Sequence, residues 1–191
     1  LSSSNGGAVY YSSSVYKLLV DQTSYVSCKT SSNHGGAIYF SHTSNGQSVL
    51  SRICAFDCSS IYSGSGTYGQ FAFIYAKSDV TYKNHFNDSS VTNSLNESTN
   101  SYSALRIYYG NILCPSVNIT NNVCYGDTAF RTIPAEGTGS PPSETCCISY
   151  SSFVNNTASN GYGCIYLDRT TTSQRIDTCN IISNKQTSSS Y

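Results

Sequence analysis

Polar and apolar positions along this chain follow a phrase that returns. Asn33-His34-Gly35-Gly36-Ala37-Ile38-Tyr39-Phe40 passes from polar residues through two glycines into β-branched and aromatic ones, the pattern of a tight turn feeding a strand. The same phrase stands earlier as Asn5-Gly6-Gly7-Ala8-Val9-Tyr10-Tyr11 and later, degraded, as Asn160-Gly161-Tyr162-Gly163-Cys164-Ile165-Tyr166-Leu167. Val26, Phe56, Phe86, Ile119, Phe153 and Ile181 line up as an apolar column repeating roughly every 31 residues. A second column, six residues earlier, holds Val20, Leu50, Val80, Leu113, Cys147 and Arg175, and a third holds Val9, Ile38, Phe73, Ile107, Phe130 and Ile165. Three strand-sized runs therefore recur per period, and no window offers an amphipathic helical face of ten or more residues.

This pattern predicts an all-β chain, a right-handed parallel β-helix of about six coils, each of roughly 31 residues, with the columns stacked as internal ladders. Residues 1–191 read as one such segment that continues beyond both ends of a longer protein. The chain begins at Leu1 in a serine-rich turn, lacks methionine, and its last stretch, Asn184-Lys185-Gln186-Thr187-Ser188-Ser189-Ser190-Tyr191, ends where another glycine phrase is due. Arg106 and Arg131 flank the third column, which turns that column inward and its neighbours outward. Tyr10, Tyr39, Tyr108 and Tyr166 are then expected as an exposed aromatic stripe, with Ala8, Ala37, Ala72 and Ala129 as the alternative lining of a narrow corner. By composition, 59–70, 88–103 and 132–145 are surface loops, where recognition usually sits.

Composition narrows the function. Charged residues make up 10% of the chain, ten acids balance ten bases, and no apolar run approaches a membrane span. Neither nucleic acid nor membrane insertion by this segment is expected. Nine cysteines in a Ser/Thr-rich chain favour an oxidising, extracellular setting, and four glycosylation sequons begin at Asn87, Asn96, Asn118 and Asn155. Cys28 and Cys58 share a column one coil apart, within disulfide reach, with a stacked pair of buried thiols as the alternative. Cys146, Cys147, Cys164 and Cys179 are open to pairing with one another or with Cys114 and Cys124. Zinc at Cys54 and Cys58 is disfavoured, because such a spacing along one strand separates the sulfurs by about 13 Å. His34 reads as a solvated turn residue, and the glycine turns lack the strand-to-helix context of a phosphate cradle.

The double glycine of Gly6-Gly7-Ala8-Val9 and Gly35-Gly36-Ala37-Ile38, with Phe153-Val154-Asn155-Asn156 and its near matches Ile119-Thr120-Asn121-Asn122 and Ile181-Ile182-Ser183-Asn184, resembles the polymorphic membrane protein repeat of chlamydial and trichomonad surface proteins. That resemblance implies a β-helix ectodomain for adhesion or surface display, with no catalytic residues to carry over. The expected function is accordingly a non-catalytic cell-surface or secreted module. Its partners are host-cell or neighbouring-cell surface proteins or glycans; it needs no cofactor or metal, and its open coils allow end-to-end association. The alternatives are a pectate lyase-like or polygalacturonase-like enzyme, which needs clustered acids where this chain scatters them, and a non-catalytic glycan-binding module using the tyrosines. Ice binding fails for want of threonines in register.

Overall fold

The computed structural model describes residues 4–12, 16–60, 68–94, 102–125, 129–134, 144–159, 162–168 and 173–187. They form a parallel β-solenoid, with no helix among them. Each of its three main sheets has six strands. The first sheet stacks Val9–Ser12, Ile38–Ser41, Ala72–Tyr75, Leu105–Tyr108, Phe130–Ile133 and Ile165–Leu167. The second stacks Lys17–Asp21, Gln47–Ser51, Lys83–Asn87, Asn111–Pro115, Glu144–Ser149 and Ser173–Asp177. The third stacks Ser24–Val26, Cys54–Phe56, Ser89–Thr92, Val117–Thr120, Ser152–Val154 and Asn180–Ile182. Two-residue strands such as Lys29–Thr30 on Ser59–Ser60, and Val123–Cys124 on Thr157–Ala158, follow the third sheet in each coil where they occur.

Alternation along each strand turns one set of residues inward. On the first sheet these are Val9, Ile38, Ala72, Leu105, Phe130 and Ile165, then Tyr11, Phe40, Ile74, Ile107, Thr132 and Leu167. Phe40, Phe71, Phe86, Phe130 and Phe153 are fully buried in the common core.

The corners are local. Between the second and third sheets one residue per coil takes positive φ: Gln22, Arg52, Asp88, Ser116, Tyr150 and Thr178. After the third sheet Ser27, Asp57, Asn93, Asn121, Asn155 and Ser183 do the same, a conformation that short polar side chains tolerate best. The glycine phrase makes the corner before the first sheet. Gly35 has φ +63, and a Cβ there would stand 2.0 Å from the Ile38 oxygen; a Cβ on Gly36 would meet the Ser59 backbone at 2.5 Å. Behind these turns a column of Ala37, Phe71, Ala104 and Ala129 lines the tight inner corner, the amides of the first three each bonding to the carbonyl of the next.

Register corrects the first expected column in its first three coils, the second from the third coil onward, and the third at Phe73, which faces outward, and Ile107, which pairs with Ile74 instead of joining Ile38 and Phe130. The inward column of the third sheet is Tyr25, Ala55, Val91, Ile119, Phe153 and Ile181. Val26 and Phe56 sit one residue on, face outward, and are 61% and 43% exposed. Phe86 belongs to the second sheet, over Leu50 and Val20, while Val80 lies outside the strands. Leu113, Cys147 and Arg175 stack with one another, but outward, on Leu19, Val49 and His85. The reason is uneven coil length. Third-sheet partners Ser24, Cys54, Ser90, Asn118, Ser152 and Asn180 follow one another at 30, 36, 28, 34 and 28 residues, so a constant period slips in the third coil.

Candidate functional site

Those spacings locate where the chain varies. The second sheet repeats the same series through Leu18, Ser48, Asn84, Ile112, Cys146 and Gln174, because a one-residue corner ties each of its strands to the third sheet. The first sheet departs from it: Val9, Ile38, Ala72, Leu105, Phe130 and Ile165 follow at 29, 34, 33, 25 and 35. All length variation therefore enters through the connections that lead into and out of the first sheet. Segments 61–67, 95–101 and 135–143 belong to these connections and lie outside the described residues.

All three expected loops also contain strand residues, the third in Thr132 and Ile133 of the first sheet, with Thr132 fully buried, and in Glu144 and Thr145 of the second. Ser59–Ser60 and Ser89–Thr92 are built into the stack, with Val91 fully buried. Serine-rich composition suggested turns there, but these serines work at inner corners. Ser89 Oγ accepts the Ile53 amide at 2.9 Å, and the Ser60 amide donates to Gln70 Oε1 at 2.9 Å.

On its outer face the first sheet carries Tyr10, Tyr39, Phe73, Arg106, Arg131 and Tyr166 in one column. Tyr108 stands two residues along, in the neighbouring outward column beside Tyr75, which corrects the expected four-tyrosine stripe. Tyr10 and Tyr39 stack at 5.3 Å and 10°, and Tyr39 and Phe73 at 5.5 Å and 9°. Near-parallel rings this close overlap face to face, so the run presents ring edges outward.

Sequence reasoning missed how deeply the middle of this ridge is covered. Arg106 points outward yet is 4% exposed, its guanidinium 3.8 Å from the Tyr68 ring centre and 4.8 Å from that of Tyr108. His34 lies beside it, stacked on Phe73 at 4.8 Å and Tyr68 at 5.1 Å, with Nδ1 accepting the Tyr68 amide at 3.3 Å. Burial lowers its pKa to about 4, helped by the charge of Arg106 and opposed by a backbone hydrogen bond at Asn33. His34 is thus a packed residue and not the solvated one expected. Farther along, Arg131 lies over Tyr166 at 4.5 Å and donates to Asp168 at 2.8 Å.

The remaining candidates are spread over the other faces. Cys28 and Cys58 stand one coil apart just after the third-sheet corner, both as thiols. Cys54 is exposed and Cys58 fully buried, because the Asp57 corner between them turns the chain; the two sulfurs face opposite sides. Among the described residues no three His, Cys, Asp or Glu side chains gather as a metal site. Asn87 is half-buried and donates to Ser51 Oγ at 2.9 Å. Asn118 is exposed in a shallow groove of about 420 Å³ that also touches Arg52, Cys54, Asp88 and Ser90. Asn155 is exposed at a corner, donating to Asn121 at 2.7 Å, and Asn96 lies outside the described residues.

The described acids are bound up with neighbours. Arg52 pairs with Asp21 and lowers its pKa; Ser27, and then Lys29 at 3.2 Å, do so for Asp57; the amide and hydroxyl of Thr81 do so for Asp79. These shifts favour the charged carboxylate, the opposite of what a general acid needs. Comparison with known proteins brings no match: no family model, no curated protein and no solved structure is similar to this chain.

Proposed function

We propose that this chain is a non-catalytic binding and display module of a cell-surface or secreted protein, a rigid solenoid that adheres to proteins or glycans on a neighbouring or host cell. The observation that carries this reading is the confinement of variation. Two corners of every coil are fixed by single positive-φ residues, while the chain's length differences all enter beside the first sheet. A scaffold that holds its frame constant and varies the segments along one side suits recognition, because loops on a rigid support can change without cost to the core. The ridge from Tyr10 to Arg131 runs along the same side, with the Tyr10 ring exposed at one end and the Arg106 guanidinium covered in the middle. The similarity of the glycine and Phe-x-x-Asn phrases to polymorphic membrane protein repeats supports the same reading.

Replacing 61–67, 95–101 and 135–143 with short Gly-Ser links, singly and together, is the direct test. Binding to cultured cells and to a glycan array should fall at least tenfold in the triple variant while its thermal transition stays cooperative. Unchanged binding with the frame intact would overturn the proposal. Depolymerisation of a uronic-acid polymer by the unmodified chain would replace it with the enzymatic alternative.

A further inference from the structure

Inside the stack, the residue after each third-sheet corner points inward. From the fourth coil onward it is Asn122, Asn156 and Asn184, whose amides bond from coil to coil. In the first two coils the same place holds Cys28 and Cys58. Val26 pairs with Phe56 on one side of this place and Lys29 with Ser59 on the other, so the two cysteines lie directly opposite each other. The Ser59 amide donates to the Cys28 oxygen at 3.1 Å, and Ser27 and Lys29 both hold Asp57 across the outside of the corner.

The sulfurs take the same direction. Cys28 Sγ lies 3.8 Å from the oxygen of Val26, and Cys58 Sγ 3.5 Å from that of Phe56, in each case two residues back along the strand. Cys58 Sγ also reaches the Tyr25 oxygen at 3.4 Å, which leans it toward the coil that carries Cys28. Directly opposed residues of parallel neighbours have Cα atoms inside the disulfide window of about 4.4–6.8 Å. Another pair of buried thiols lacks this placement. Cys114 pairs with Ile148 and Cys146 with Ile112, so Cys114 and Cys146 are diagonal neighbours, about 7–8 Å apart at Cα.

We propose that Cys28 and Cys58 form a redox-set clasp, closing a disulfide between the first two coils when the chain meets a small-molecule disulfide. This goes beyond the binding role proposed above and does not depend on it. Cys28 is the more exposed of the two, and its thiolate attacks one sulfur of the small disulfide. That S–S bond breaks and one small thiol leaves. Cys58 then attacks the bonded sulfur of Cys28, its proton passing to the second small thiol as that departs. The two cysteines lose two electrons and two protons, and the small disulfide is reduced to two thiols. Burial raises the Cys58 thiol to about 12, which keeps it protonated and leaves the first attack to Cys28; the second step rests on the adjacency of the two cysteines in neighbouring coils.

The test is a disulfide map of the reduced, folded 191-residue chain after incubation with oxidised glutathione, alkylation of remaining thiols and digestion without reduction. A peptide joining Cys28 to Cys58 is expected, together with a rise in melting temperature on the order of 5–10 °C that a reductant reverses. The Cys58→Ala variant should retain glutathione on Cys28, and the Cys28→Ala variant should leave Cys58 free. Recovery of both cysteines alkylated from the wild-type chain, or of either bonded to a different cysteine, would overturn the clasp. Should a variant fail to fold, the wild-type map decides alone.

Discussion

His34 shows how a residue that looks ordinary in sequence becomes consequential once packed. Its ring packs against both Phe73 and Tyr68, its Nδ1 accepts a backbone amide, and the Arg106 guanidinium stands close enough to lower its pKa. Protonation would turn that acceptor into a donor facing an N–H and would set a second positive charge near Arg106. The folded pKa is about 4 against an ordinary 6.5, so between these values the unfolded chain binds more protons. Stability is therefore undiminished above pH 6.5 and declines as pH falls toward 4, by on the order of 2 kcal/mol after allowing for partial exposure. Urea midpoints measured from pH 7 to 4 should show this decline, and His34→Gln, which keeps an acceptor without a titration, should flatten it. Equal slopes for both proteins would refute the assignment. Nothing beside His34 in sequence signals the burial, because the covering ring belongs to Tyr68 in the next coil. Arg106 was legible as outward-facing for the right reason, the alternation of the strand, but its shielding by the same tyrosine was not.

Between residue and solenoid, the ladder is the working element. Asn156 is 1% exposed; its Nδ2 donates to the Ile119 oxygen at 2.8 Å and to Asn184 Oδ1 at 2.9 Å, and its Oδ1 accepts from the Asn122 amide at 3.1 Å. Neighbouring Asn155 is exposed and takes positive φ at the corner. Two adjacent asparagines thus do different jobs, and their substitutions should separate. Asn156→Ala leaves a buried carbonyl and a buried amide without partners, at a cost of about 3 kcal/mol. Asn155→Gly, at a φ that glycine adopts freely, should change stability by less than about 0.5 kcal/mol. Chemical denaturation of the two variants checks the contrast; similar losses would mean that the ladder does not carry the load assigned to it. The same pair explains the Phe-x-x-Asn phrase: Phe153 fills the core, Asn155 turns the corner, and Asn156 bonds the coils. Matching Cys28 and Cys58 to Asn156 instead of Asn155 would have put the first two coils in register from sequence alone. The glycine phrase was read correctly as a corner, since its φ and its close approach leave no room for a side chain.

At the scale of the whole molecule, the stack ends in open strands. Ile181 and Ile182 of the last coil are 52% and 53% exposed, and Ile176 is 42% exposed. At the other end, Lys17–Asp21 and Ser24–Val26 pair on one side only among the described strands. An isolated 191-residue chain with such edges is expected to self-associate at micromolar concentration, and lysine at both 176 and 181 should reduce the association. Sedimentation velocity across a concentration series reads this directly, and a wild-type monomer throughout would contradict it. Alternating apolar and polar residues, glycine turns and a period near 31 were enough to determine a parallel β-solenoid, since any chain that repeats three short amphipathic strands must stack its coils to bury them. Register, burial and the neighbours of each outward side chain were decided only by the tertiary structure. Coils of 28 to 36 residues each supply one strand to the same three sheets, so insertions beside the first sheet shift the numbering without disturbing the stack, and which ring covers which guanidinium depends on that shift.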